Sequence, residues 1–238
     1  MSPHPLFRAE GVSKRFGGFV ALNNVDFAVG AGERVGLIGP NGSGKSTFVG
    51  CASGSLRNDS GAVWFKDRRI DRFAPHERVS AGLVRSFQLP KPFRGLSVAE
   101  NLRVPLVFAG GRERDEASIG EALEFVGLAE RRNAMPSDLT QVDLRKLDLA
   151  RATVARPELL FVDEAMAGLS HSEVGEILAL LMRMNERGVA IVMIEHIMRA
   201  VTLFSQRLVV LVAGRKIADG APESVLADAE VQRAYLGE

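Results

Sequence analysis

The segment Gly39-Pro40-Asn41-Gly42-Ser43-Gly44-Lys45-Ser46-Thr47 holds the most specific chemistry in this chain. It matches the pattern G-x-x-x-x-G-K-[ST] in full, with an apolar strand pattern at 34–38 before it and a helical pattern from about Lys45 onward. Glycines let backbone N–H groups turn inward around phosphate oxygens, and a helix N-terminus adds partial positive charge at the same place. Lys45 then suits the β- and γ-phosphates of a nucleotide, and the Ser46 hydroxyl suits Mg²⁺. Further along, Leu159-Leu160-Phe161-Val162-Asp163-Glu164 is an apolar run ending in two carboxylates. By itself such an ending reads as a helix cap. Downstream of a phosphate loop, Asp163 suits a Mg²⁺-linked position, and Glu164 suits the base that orients an attacking water.

The rest of the sequence supplies the elements that must hold these groups. Strand patterns at 7–12 and 25–29, joined across Gly17-Gly18, and a hairpin pattern at 61–65 and 68–70 around Lys66-Asp67 make the opening mainly antiparallel. From 98 to 132 the apolar spacing is helical, with Ile119, Leu123, Val126 and Leu128 on one face. Ser97 and Glu100 have capping-box spacing. Another helix is expected at 142–155, stopping before Pro157. Strand–helix alternation then returns. Continuous apolar strands at 159–162 and 189–194 flank a helix at 173–185, and a strand at 208–212 precedes a turn at Ala213-Gly214 and one final helix at 222–235. The prediction is an α/β core interrupted by a helical insertion at 88–156.

Composition narrows the setting. A chain of 238 residues with 46% hydrophobic and 25% charged residues is long enough to bury a core without staples. The net charge of +1 gives no global field for nucleic acid, so no nucleic-acid partner is expected. Cys51 is the single cysteine, which excludes an intrachain disulfide. The residues Met1-Ser2-Pro3-His4-Pro5 lack the apolar stretch of a signal peptide, and no run reaches the roughly 18–20 apolar residues of a membrane span. Any membrane role is therefore expected to come through a partner. Cys51 and Trp64 read as packing residues, His171 as surface, and the charged run 112–116 as a solvated linker.

With these motifs in order, the chain resembles the ATP-binding cassette (ABC) ATPases over nearly its whole length. The resemblance implies a P-loop NTPase cassette. A discontinuous core with an antiparallel β subdomain would take 1–87 and 157–238, and an α-helical subdomain would take 88–156. It implies ATP and Mg²⁺ as ligands. It also implies that Phe16 stacks on adenine, that Gln88 links Mg²⁺ and the attacking water to the helical subdomain, and that His196 contacts the γ-phosphate and supports the catalytic carboxylate. Ala167-Gly168-Leu169-Ser170 matches the loop that communicates across the family's dimer. The segments Phe16-Gly17-Gly18 with Ala21-Leu22, Ile194-Glu195-His196-Ile197-Met198, and Gly214 to Gly220 through Tyr235-Leu236-Gly237-Glu238 resemble more closely the branched-chain amino-acid importer ATPases. That group implies transmembrane permease subunits, a second ATPase subunit in a heterodimer (or a homodimer), an indirectly coupled solute-binding protein, and a peripheral place on the cytoplasmic face of the membrane. The residues after Gln88, Leu89-Pro90-Lys91-Pro92-Phe93, then read as a docking surface for the permease.

The sequence departs from the family at its signature, which is normally close to Leu-Ser-Gly-Gly-Gln. The register here places Leu139-Thr140-Gln141-Val142-Asp143 at that position. Thr140 keeps a hydroxyl, neither glycine remains, and Asp143 takes the glutamine position. In the family's closed dimer this segment caps ATP held by the partner. Asp143 either caps its own helix or repels the phosphate. The departure predicts asymmetry: the site built on Lys45, Glu164 and His196 is fully active, and the opposite site, which borrows this chain's signature, is weaker. Ala165, Met166 and Ser170 also differ from the usual residues after the catalytic carboxylate. The alternatives left open are the ATPase of a lipid or lipopolysaccharide exporter and a regulatory cassette with weakened hydrolysis.

Overall fold

The apolar runs ending at Ile38, Asp163 and Ile194 come together as neighbours in one sheet. Strands and helices are numbered in chain order in the computed structural model, which describes residues 5–86, 90–108 and 116–236. β3 (Arg34–Ile38) lies in parallel between β8 (Ala190–Ile194) and β9 (Arg207–Val212). β8 pairs with β7 (Leu159–Asp163), β7 pairs with β6 (Leu83–Arg85), and β10 (Arg215–Gly220) closes the far edge antiparallel to β9. Every residue of β7 and β8 is buried, because helices cover one face of this sheet and a second sheet together with the helix after the phosphate loop covers the other, which leaves continuous apolar runs. The C-terminal ends of β3, β7 and β8 therefore open onto one crevice, where open parallel sheets place their ligands.

A second, antiparallel sheet has the order β2-β1-β4-β5, built from β1 (Phe7–Phe16), β2 (Phe19–Val29), β4 (Ser60–Phe65) and β5 (Arg68–Arg69). β1 and β2 run further than the expected 7–12 and 25–29. Gly11 and Asn24 sit at positive φ, so the ladder changes register there and hides the period of two in the sequence, yet pairing continues to Phe16 opposite Phe19. The Phe7 and Phe161 rings, 5.7 Å apart and edge to face, tie the two sheets together.

The helical pattern at 98–155 resolves into α3 (Val98–Phe108), α4 (Glu116–Val126) and α5 (Gln141–Val154), which pack on one another through Leu102, Ile119, Leu123 and Leu147. The capping box at Ser97 forms as expected, with the Ser97 N–H and hydroxyl both donating to Glu100 at 2.8 Å. α6 (His171–Glu186) starts earlier than the expected residue 173 because Ser170 caps it, accepting from the Glu173 N–H. The single final helix expected at 222–235 is instead two, α8 (Pro222–Leu226) and α9 (Ala229–Leu236). Asp228 accepts from the N–H groups of Glu230 and Val231 and so starts a new helix. α2 (Pro75–Ala81), α7 (Met198–Phe204), β6 and β10 were not anticipated from the sequence. Among the described residues, no helix is long and apolar enough to cross a membrane.

The helix after the phosphate loop, α1 (Lys45–Ser53), ends on a buried cation. Arg78 of α2 is 1% exposed and donates to the carbonyls of Cys51 and Ala52, both at 2.7 Å, and of Phe73 at 3.2 Å. It satisfies acceptors that a helix C-terminus leaves open and places positive charge where the helix dipole favours it. Replacing it with Met strands those buried carbonyls. Arg78→Met is expected to lower unfolding free energy by about 2–3 kcal/mol, read as a shifted urea midpoint at unchanged slope.

Candidate functional site

The loop Gly39 to Thr47 is shaped by close backbone approaches. Gly39 has φ 151°, and a Cβ there would lie 2.0 Å from the Leu211 carbonyl oxygen. Gly44 has φ 103°, and a Cβ there would lie 2.6 Å from the Ala21 carbonyl oxygen. Neither position accepts a side chain, so the cradle is glycine by necessity. The loop is braced from outside, since the Gly214 N–H donates to the Ser43 carbonyl at 2.9 Å and the Asn23 N–H donates to the Gly214 carbonyl at 2.8 Å. Ser43 is buried, while Asn41, Gly42 and Ser46 are exposed and Pro40 and Thr47 are partly covered. Lys45 opens α1 with its ammonium folded into the loop, donating to the carbonyls of Gly39 at 2.7 Å and Pro40 at 3.0 Å. Burial lowers its pKa, and the nearby Glu164 and Asp163 carboxylates oppose that shift.

Those two carboxylates end β7. The Asp163 Oδ2 accepts from Arg85 of β6 at 2.6 Å, and the Asp163 N–H faces the Ser86 hydroxyl at 3.4 Å. Glu164 leaves the strand in the left-handed region, φ 47°, uncommon for a residue with a Cβ, and its N–H donates to the Ile194 carbonyl at 2.8 Å. That turn brings Glu164 Oε1 within 2.8 Å of His196 Nε2. His196 follows β8 and is largely exposed, so the pair sits at the mouth of the crevice beside Lys45. The structure thus brings Lys45, Asp163, Glu164 and His196 together from three places in the sequence. The side chains present fit the ligands that the loop implies: the Lys45 ammonium for phosphate, with a hydroxyl on Ser46 and a carboxylate on Asp163, both hard oxygens, for Mg²⁺.

The other expected residues lie around this centre. Phe16 sits at the β1–β2 turn, 48% exposed, with the Lys14 ammonium 5.6 Å from its ring centre. The β2 strand it leads into is the one that contacts Gly44 through Ala21. Gln88 lies outside the described residues. Leu139 and Thr140 lead into α5, which Gln141, Val142 and Asp143 begin. Asp143 turns back on its own helix: Thr140 Oγ1 accepts from the Asp143 N–H at 3.2 Å, and Asp143 Oδ2 accepts from the Thr140 N–H at 3.4 Å.

Three residues near the site had no assigned role in the sequence. Arg85 holds Asp163, as above. Glu195, 3% exposed, accepts from the Met166 N–H at 2.8 Å. Tyr235 of α9 has its hydroxyl against the Gly39 backbone; burial raises its pKa and that hydrogen bond opposes the rise. The signals available were an arginine after an apolar triplet, an acid before a histidine, and a tyrosine near the end, none of which specifies a contact.

Comparisons with known proteins agree with this geometry. A family model described as ABC transporter matches residues 22–167, and one described as branched-chain amino acid ATP-binding cassette transporter matches residues 215–238. The chain is 36% identical to the high-affinity branched-chain amino acid transport ATP-binding protein LivG of Escherichia coli (strain K12), covering 98% of each chain. It is 33% identical to the corresponding protein BraF of Pseudomonas aeruginosa, again with 98% of each covered. Among solved structures, it superimposes on a nucleotide-free ATP-binding cassette from an ABC transporter with a TM-score of 0.90 at 29% identity, covering 99% of this chain and 100% of the other. The ADP conformation of an ATP-binding cassette matches with the same score, identity and coverage. The chain belongs to the ABC transporter family, in the branch that holds the branched-chain amino acid transport ATP-binding proteins.

Proposed function

We propose that this chain is the ATP-hydrolysing subunit of an importer for branched-chain or related amino acids, working as a peripheral subunit on the cytoplasmic face of the membrane. The observation that carries the reading is the convergence of Lys45, Asp163 and the Glu164–His196 pair at the open ends of β3, β7 and β8, on a chain related end to end to transport ATPases. The loop N–H groups and Lys45 bind the triphosphate, and Phe16 stacks on the base. Ser46 and Asp163, with Gln88, are the residues that would hold Mg²⁺, which when bound neutralises charge on the phosphoryl oxygens. Glu164 orients the attacking water and takes its proton, while His196 steadies that carboxylate and reaches toward the γ-phosphate.

The division into a core of 1–87 and 157–238 and a helical subdomain of 88–156 gives the closure its moving parts. A permease element docks in the open groove of about 630 Å³ lined by Pro90, Lys91, Pro92, Pro136, Leu139 and Leu144. Phe93, 41% exposed and stacked under Arg151 at 5.1 Å, borders that surface. The same groove touches the start of the signature segment, so docking and capping share residues. The test is Mg²⁺-dependent ATP hydrolysis by the purified chain alone and with its partner cassette. Activity that requires the partner supports a site completed in trans, whereas nucleotide binding without hydrolysis in the full transporter defeats the reading.

The altered signature carries an asymmetric prediction. Asp143 brings a carboxylate to the segment that caps the opposite site's phosphate, and an unscreened repulsion of about 1–2 kcal/mol weakens closure roughly 5–30-fold. Val142→Gly with Asp143→Gln is expected to raise turnover at the opposite site about fivefold or more, leaving the Lys45 site unchanged. Site-resolved turnover in the assembled heterodimer measures this, and equal turnover at both sites of the unmodified dimer would rule it out.

A further inference from the structure

The Glu164–His196 pair stands on backbone from two strands, and one buried carboxylate grips both. Glu195 accepts from the Met166 N–H, two residues past Glu164, at 2.8 Å, and its carboxylate also takes the backbone N–H of His196. The segment 165–167 is held from a second side, where Arg145 of α5, 4% exposed, donates to the Ala167 carbonyl at 3.3 Å. Arg145 is close enough to Glu195 for the two charges to interact. A carboxylate so deeply enclosed is costly unless hydrogen bonds and a counter-charge offset its lost hydration. Packing alone gives no reason to keep an acid here. β8 is apolar along its whole length, and a Leu or Met at 195 would continue it.

We infer that Glu195 is a positioning residue for ATP hydrolysis: its carboxylate fixes the backbone after Glu164 and the backbone of His196 relative to each other, and Arg145 links that clamp to the helix that begins with the signature segment. The geometry gives the clamp a consequence. Glu164 leaves β7 in a left-handed conformation, so its side chain is aimed by main-chain contacts, the Ile194 carbonyl on one side and the Met166 anchorage on the other. Releasing Met166 frees the turn without touching the phosphate loop, whose braces run through Ser43, Gly214 and Asn23. Because Thr140 caps α5 and Arg145 lies on it, a shift of that helix reaches the hydrolytic pair of the same chain through the Ala167 carbonyl and Glu195.

This inference rests on the hydrolytic reading above, and the test separates the two. Turnover and nucleotide affinity are measured in the dimer competent for hydrolysis, with Glu164→Gln as the reference that establishes hydrolysis by this site. Glu195→Ala is then expected to lower kcat roughly 100-fold, the scale for a catalytic group displaced by about 1 Å, with KM for ATP changed by less than about threefold. Glu195→Gln keeps an oxygen acceptor and is expected to recover at least about a tenth of the activity, and it remains informative if the Ala variant does not fold. In a Glu164→Gln background, Glu195→Gln is expected to cost less than about twofold more, since the base it positions is already lost. Unchanged kcat in both Glu195 variants overturns the proposal. So does a parallel loss of kcat and ATP affinity, or a Glu195→Gln effect that multiplies fully with Glu164→Gln. If the Glu164→Gln reference itself retains full activity, the hydrolytic reading fails first, and the clamp fails with it.

Discussion

Glu164→Gln is expected to lower ATP turnover by at least about 100-fold while nucleotide still binds, the range for loss of a positioned general base. Gln has the same shape and can still meet His196 Nε2 across the 2.8 Å contact, so the turn at φ 47° and the surrounding backbone have no reason to move. What disappears is the proton acceptor. The phosphate loop, its glycines and Lys45 are untouched, so affinity for ATP is expected to hold or rise. A fluorescent-nucleotide titration beside a phosphate-release assay separates the two quantities. Turnover within about threefold of the unmodified protein would remove Glu164 from the mechanism.

Lys45→Ala is expected to have the second large effect, on binding as well as turnover. The ammonium is 6% exposed and bound to the Gly39 and Pro40 carbonyls, so its charge is held inside the loop before any ligand arrives. Charge-assisted hydrogen bonds to phosphate are worth about 1.5–3 kcal/mol each, so losing one weakens ATP affinity about 10- to 100-fold. Turnover is expected to fall by a further factor of about 100, because the same group stabilises charge in the transition state. Equilibrium binding of ATP and ADP measures the first effect, which is expected to be larger for ATP. Equal affinity in variant and parent would mean that the triphosphate sits elsewhere.

The contrast between what the sequence foretells and what it hides follows from the range of the forces involved. The phosphate loop is legible because its chemistry is local: Gly39 and Gly44 adopt backbone conformations and close approaches that only glycine tolerates, and the strand and helix beside them follow in order. β7 and β8 are legible because burial on both faces leaves unbroken apolar runs. The bulge at Gly11 and Asn24 is not, since it shifts the alternation that marks a strand. Arg78 and Glu195 are hidden for another reason. Each is a lone charge whose partners, Cys51 and Ala52 or Met166, lie 26 to 29 positions away, and no periodicity announces such a pairing. Asp143 is an intermediate case. Its spacing from Thr140 allows a cap, but only the folded helix shows the carboxylate turned to that use.

The segment that leads into α3 is fastened by a single buried amide. Asn101 on α3, fully buried, accepts from the Phe93 N–H at 2.8 Å and donates to the carbonyls of Phe93, Leu96 and Ser97 at 2.9–3.1 Å. Every one of these bonds goes to main chain. The exposed Arg94 side chain takes no part in that anchorage, so residue 94 can change while the amide still holds the loop. One amide thus separates what this loop presents at the surface from the upkeep of the fold.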